Sequence, residues 1–303
     1  MLPWGYKRAF VCCALLFLLG TVFQWMWGAV PPHFLHYPWS VIAALVYTYA
    51  LVVLYSLSGR FPRLRRLSDT CASVASIVSV AGLSILFGLI PQSRGASGIA
   101  AALGWTDMRS CWAFHFLLLY LMTGIGISAV SGLYHLRTAK PAATLSHLAV
   151  YLVLCAGFFG SGDKQELLVT AEQGIPVAVG KTGDGVAGEL PFMILLNDFD
   201  IEEYPDGGGP MRYLSDVTLL TGSGRPHFGI AVNHPARLGP WRIYQYGYDL
   251  SQGKESRISE LLCVKDGWYP VIAAGLWLLL AAGVWMFVTA GGRRKSEREE
   301  VLR

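Results

Sequence analysis

Six apolar runs dominate the hydropathy pattern of the chain, at residues 9–30, 39–57, 72–90, 110–133, 145–160 and 268–290. Each approaches the roughly 20 residues that an α-helix needs to cross the hydrocarbon of a bilayer. The fifth is short, and Ala142, Ala143 and Thr144 ahead of it supply the missing length. Between the fifth and sixth runs lies a polar island, residues 161–267, in which unbroken hydrophobicity gives way to partial alternation. Stretches 192–204, 212–221, 227–232, 241–248 and 257–264 are rich in β-branched and aromatic residues. Breaker runs at 205–210, 222–224 and 238–240 separate them, which is the signature of short strands joined by turns. The pattern predicts a polytopic α-helical membrane protein of six transmembrane helices, with an all-β domain, a small sandwich or partial barrel, inserted between helices five and six. Its segments are a hairpin with a basic loop at 1–71, further spans at 72–160, the β domain at 161–267, a last span at 268–290 and a tail at 291–303.

Composition agrees with the pattern. The 303 residues are 53% hydrophobic and 15% charged, and the mean hydropathy is +0.44, too apolar for an ordinary soluble domain. The net charge of +4 is small and clustered, so it reports topology and not affinity for nucleic acid. Lys7, Arg8, Arg60, Arg63, Arg65, Arg66, Arg137, Lys140, Arg293, Arg294, Lys295, Arg298 and Arg303 fall on one set of joints, whereas the opposite short joints hold only Arg94 and Arg109. Basic loops stay in the cytoplasm, so both termini are expected there and the β domain is expected to face the outside or the periplasm. The first span follows Lys7 and Arg8 without a tidy small-residue cleavage site, which predicts a retained anchor.

Four local signatures coincide in this order: Gly88-Leu89-Ile90-Pro91-Gln92 closing the third span, Ser110-Cys111-Trp112-Ala113-Phe114 opening the fourth, Ser146-His147-Leu148 in the fifth, and Val232-Asn233-His234-Pro235 with Tyr244-Gln245-Tyr246-Gly247-Tyr248-Asp249 in the β domain. Together they resemble the ResB family, the ResB/CcsB-like subunit of the system II cytochrome c biogenesis haem-delivery complex, over about residues 72–290. The resemblance implies a chain that works with a CcsA/ResC-type membrane partner. Such a complex exports haem across the membrane and supports its covalent attachment to the Cys-x-x-Cys-His motif of an apocytochrome c. It implies that the attachment site, and with it any holocytochrome c synthase activity, lies on the partner chain. It also places the family's membrane histidine at His147, as an axial ligand of the iron of haem b shared with that partner. The first two spans look like an added amino-terminal hairpin.

Residue chemistry supports His147 as a candidate in its own right. Ionisable groups inside spans cost about 2.5–3.5 kcal/mol when fully charged, so each invites a functional explanation. A neutral imidazole near the interface escapes most of that cost and can meet haem iron while its other nitrogen is held by a hydroxyl or carbonyl. Ser146 and Thr144 are candidates to hold it, and Tyr151 and Leu154 follow on the same stripe, either to wall a flat porphyrin or to pack on the fourth span. The other histidines each carry two readings. His115 is an exit-side ligand or a buried ring bonded to a neighbouring helix, and His135 is a partner for His147 or part of a solvated loop. His33 and His36 are ligands or interfacial belt residues, and His234 is a functional group or the buttress of a turn.

The remaining chemistry is sparse. Asp198, Asp200, Glu202 and Glu203 read as a solvated strand face or as a metal or acid/base site, and Tyr244, Tyr246 and Tyr248 share one strand face if alternation is unbroken. Cys111 and Cys263 fall on the oxidising side, where a disulfide is conceivable. There is no Cys-x-x-Cys-His, no Gly-x-Ser-x-Gly and no His-Glu-x-x-His, so neither a c-type cytochrome nor those hydrolases is expected. Two competing readings remain: a haem b electron-transfer anchor, and an assembly factor without haem.

Overall fold

The computed structural model describes residues 5–31, 34–93, 97–135, 140–204, 210–251, 253 and 256–301. His33, Arg94, Arg137, Arg303 and the breaker residues 205–209 lie outside the described residues. The chain forms two compact units, one of residues 1–163 with 268–303 and the other of residues 164–267.

The first unit is helical: α1 Tyr6–Trp27, α2 Trp39–Ser58, α3 Thr70–Leu89, the short α4 Ile99–Ala102, α5 Trp112–Tyr134, α6 Pro141–Phe159 and α7 Tyr269–Val301. Among the described residues six helices are long and apolar enough to cross a membrane, the last by its segment Tyr269–Thr289. Helix boundaries differ from the apolar runs by a few residues. Pro141 begins α6 because its missing N–H is unneeded in a first turn, and α7 continues beyond residue 290 through Ser-Glu-Arg-Glu-Glu, residues that tolerate a helix well. The sequence pattern missed the 3₁₀ turns Pro62–Ser68 and Met108–Ser110 and the single helical turn α4, all too short to show a period.

Helix α5 is the hub, packed by α1, α2, α3 and α6. Its contacts are made through small residues: a side-chain carbon on Gly20 of α1 would strike the backbone of Ala113, one on Gly126 would strike Leu51 and Tyr151, and one on Gly132 would strike Thr144. Such positions let helix backbones approach closely where apolar burial supplies little drive. Polar threads add direction, with Tyr47 Oη 2.8 Å from Thr123 Oγ1 and Thr48 Oγ1 2.7 Å from Tyr151 Oη. α1 and α2 are thus integral to the packing around α5.

The second unit is one antiparallel sheet of eight strands in the order β5-β4-β3-β2-β1-β8-β7-β6. The strands are β1 Gln165–Glu172, β2 Val177–Lys181, β3 Ala187–Glu203, β4 Pro210–Leu220, β5 His227–Ala231, β6 Ala236–Leu238, β7 Trp241–Tyr248 and β8 Ile258–Lys265. The sequence showed β3, β4, β5, β7 and β8 and missed β1, β2 and β6, of which two are only five and three residues long. The sheet curls over a single core that includes Val169, Ile194, Leu196, Val217, Leu219, Ile230, Ile243 and Leu261, all fully buried. Curling brings Ser215 of β4 across the interior to Gln245 and Ser259, at 2.6 and 2.7 Å, so the buried hydroxyls are satisfied.

Strict alternation fails in β7. The register slips between Gln245 and Gly247, and this bulge interrupts the two-residue alternation, so residues on either side of it no longer keep to one face. Trp241 and Ile243 enter the core, Tyr246 is 63% exposed, and Tyr248 returns inward against Phe199 and Tyr213. The three tyrosines therefore do not share a face.

Candidate functional site

His147 is the seventh residue of α6, about 9 Å along the axis at roughly 1.5 Å per residue. At about 100° per residue it stands roughly opposite Ala149 and Val153, the positions on which Gly275 of α7 closes. Its side chain is exposed, and no hydrogen bond found among the described residues involves the ring. The two expected helpers are engaged elsewhere: Ser146 Oγ donates to the Ala143 carbonyl at 3.0 Å and Thr144 Oγ1 to that of Lys140 at 3.4 Å. Both hydroxyls thus back-bond within their own helix, a common way for Ser and Thr to be satisfied in apolar surroundings.

Tyr151 does not flank the imidazole as a porphyrin wall. It is 5% exposed, packed beside Gly126 of α5 and bonded to Thr48 of α2. The stripe that His147 does share on α6 is Leu154 and Phe158, seven and eleven positions on, both partly buried. The Phe158 ring meets His115 of α5 edge-on, with centroids 5.4 Å apart. An apolar track on α6 therefore leads from the exposed imidazole to a second one.

Four of the other histidines have distinct settings. His115 is half-buried and its Nδ1 lies 2.8 Å from the carbonyl of Cys111, one turn back on the same helix and not on a neighbour. His135 is exposed at the end of α5, its Nδ1 3.0 Å from the Ser131 carbonyl and 3.2 Å from Tyr55 Oη. Those bonds tie it to α2, and no described hydrogen bond joins it to His147. His36 is exposed. His234 is exposed and closes a turn: its N–H and carbonyl pair with Ala231, while Asn233 takes the left-handed φ of 67°. Asn tolerates that conformation better than most residues, so the Val-Asn-His-Pro signature is the tip between β5 and β6.

The other motifs likewise resolve into structure. Gln92 Nε2 lies 3.0 Å from the carbonyls of Phe87, Ile90 and Trp105, and its Oε1 accepts from Met108 N–H, so this residue ties the whole joint between α3 and α5. Gln24, 5% exposed inside α1, accepts the Trp112 N–H at 3.1 Å and so caps the otherwise uncapped start of α5. Asp198, Asp200 and Glu202 are exposed on β3, as on a solvated face. Cys111 and Cys263 are free thiols, each fully buried in the core of its own unit, which removes the conceivable disulfide. Burial pushes the Cys263 thiol up to about 12. No cluster of three or more His, Cys, Asp or Glu side chains suited to a metal exists among the described residues.

One node was missed by sequence reasoning. Asp163, just past α6, accepts the Tyr37 N–H at 2.6 Å, the Ser40 hydroxyl at 2.5 Å and the Trp268 indole N–H at 2.7 Å. It thereby pins the start of α2 and the residue before α7 to the end of α6. Partial burial raises the carboxyl pKa, but the Ser40, Trp268 and Tyr37 donors outweigh it and hold the group below its ordinary value. A lone acid between an apolar run and a strand gives no pattern to detect.

Comparison with known proteins adds the family. No curated protein matches the chain. Among solved structures, a chain titled Cytochrome c Heme Lyase CcmF is similar with a TM-score of 0.34 and 14% identity, over 81% of this chain and 45% of that one, so this chain spans less than half its length. The model of the ResB-like family matches residues 92–267, more than half of the chain. That stretch begins at Gln92 and includes α5, His147 and the whole β domain, and by it the chain belongs to the ResB-like family.

Proposed function

We propose that this protein is a membrane subunit in cytochrome c biogenesis that carries haem as cargo and offers His147 to its iron. The observation that carries the reading is an exposed imidazole, without a hydrogen bond among the described residues, on a helix otherwise built to face lipid or other helices. An unsatisfied ring in hydrocarbon is costly. Coordination of a metal by a neutral imidazole offsets that cost, and a haem needs only one or two such ligands because the porphyrin supplies the rest.

In this reading haem b is taken between α6 and a CcsA/ResC-type partner, which supplies the second axial ligand. The Leu154 and Phe158 stripe offers an apolar surface along which a flat macrocycle can lie. The distribution of Lys and Arg supports cytoplasmic termini and a periplasmic β domain in a bacterial inner membrane. That domain would brace the partner or the incoming apocytochrome c, on which the partner completes attachment at Cys-x-x-Cys-His.

The decisive experiment purifies the full chain with its CcsA-type partner and records the haem absorption spectrum of wild type and His147→Ala. Loss of most co-purified haem, with unchanged thermal unfolding and recovery of the spectrum on adding free imidazole, is the expected result. Wild-type haem content in His147→Ala sinks His147 as the ligand, and no haem in wild type at any stage leaves a scaffold.

A further inference from the structure

A cavity of about 210 Å³ opens at the end of the helical unit where α5 begins. Trp112, Phe116 and Phe158 supply apolar walls, His115 lines it, and Arg109 stands at its rim, exposed. Size restricts the occupant. A dry apolar cavity of about 150 Å³ takes one benzene ring, so this one has room for a head group of one or two six-membered rings.

Polarity restricts it further. The Cys111 carbonyl can only accept, so the bond at 2.8 Å places the proton on His115 Nδ1. The neutral ring then presents a bare lone pair at Nε2, which no described hydrogen bond uses. A ligand must donate an O–H or N–H there. Arg109, whose guanidinium is engaged by no described partner, offers donors only and asks for an oxygen. The cavity lies at the end of helices apolar enough to span a membrane, so a ligand dissolved in a bilayer can reach it.

We propose that this cavity binds the head group of a membrane quinol. The flat ring sits among Trp112, Phe116 and Phe158, one hydroxyl donates to His115 Nε2, and the opposite oxygen faces the Arg109 rim. The proposal concerns binding alone and does not rest on haem at His147, although Phe158 borders both.

The test uses the full chain in phosphatidylcholine nanodiscs under nitrogen, titrated calorimetrically with 1,4-naphthoquinol and, separately, with its dimethyl ether. Saturable binding of one quinol per chain, at least tenfold weaker binding of the ether, and a similar loss in His115→Leu with the haem spectrum unchanged are expected. Equal affinity for quinol and ether, which reduces the effect to apolar partition, overturns the proposal. So does the absence of saturable binding to wild type, or a His115→Leu protein that binds quinol as wild type does. The ether comparison needs no substitution, so it decides the matter even if His115→Leu fails to fold.

Discussion

The helical bundle and the β unit solve opposite packing problems with the same side chains. In the β unit Ile194, Leu196, Leu219, Ile243 and Leu261 are fully buried while Asp198, Asp200 and Glu202 face outward, which is the order apolar burial from water imposes. In the bundle Ala9, Ala75, Ala113, Ala149 and Ala156 are buried at helix contacts while Leu15, Trp25, Leu45, Ile85, Trp277 and Phe287 are exposed. A surface of that kind is stable only where its surroundings are as apolar as itself. The two halves of one chain are therefore written for two solvents, and a substitution has meaning only with its solvent named.

Leucine truncation sharpens this contrast most strongly. Leu261→Ala in β8 removes a fully buried side chain from a closed core and is expected to cost about 2–5 kcal/mol. Leu280→Ala on α7, where the side chain is 57% exposed, is expected to stay within about 0.5 kcal/mol. Reaction of the Cys263 thiol with an alkylating reagent, followed by mass spectrometry as denaturant rises, reads the β unit directly, because that thiol is shielded until the core opens. Equal effects of the two truncations would break the comparison.

Enlarging a small residue inverts the test. Gly126→Val places a branched side chain against Leu51 and Tyr151, and overpacking of this kind costs about 1–3 kcal/mol. The loss is expected in thermal unfolding of the bundle, with Cys263 reactivity unchanged.

A more modest loss than from either core change is expected at Asp163. Removing its charge in Asp163→Asn weakens three bonds to the carboxylate and costs about 1 kcal/mol. The sign follows from the depressed pKa. A carboxyl held below its unfolded value stabilises the fold above the ordinary value near 3.8, and that contribution is lost as the pH falls through the folded-state value. Wild type and Asp163→Asn should therefore differ at neutral pH and converge as the pH drops below about 4, near the ordinary Asp value. A difference that persists in acid would assign the effect to shape and not to charge.

Six spans and an inserted β unit were legible in the sequence because hydropathy is a one-dimensional record of solvent: about 20 apolar residues in a row have few other uses, and breakers mark turns wherever they occur. His147 stood out for a similar reason, as an ionisable residue where few are placed, and its role is a proposal. What the tertiary structure alone decided is which groups meet. It turned Tyr151 inward to Thr48, satisfied Ser146 and Thr144 within their own helix, and used Gln24 and Gln92 as caps and ties. It drew Asp163 to partners more than 100 residues away and broke the tyrosine alternation with one bulge. Hydrogen bonds act over about 3 Å between atoms whose separation along the chain is arbitrary, so a linear pattern reports the medium around each segment but not the partner each polar group will find.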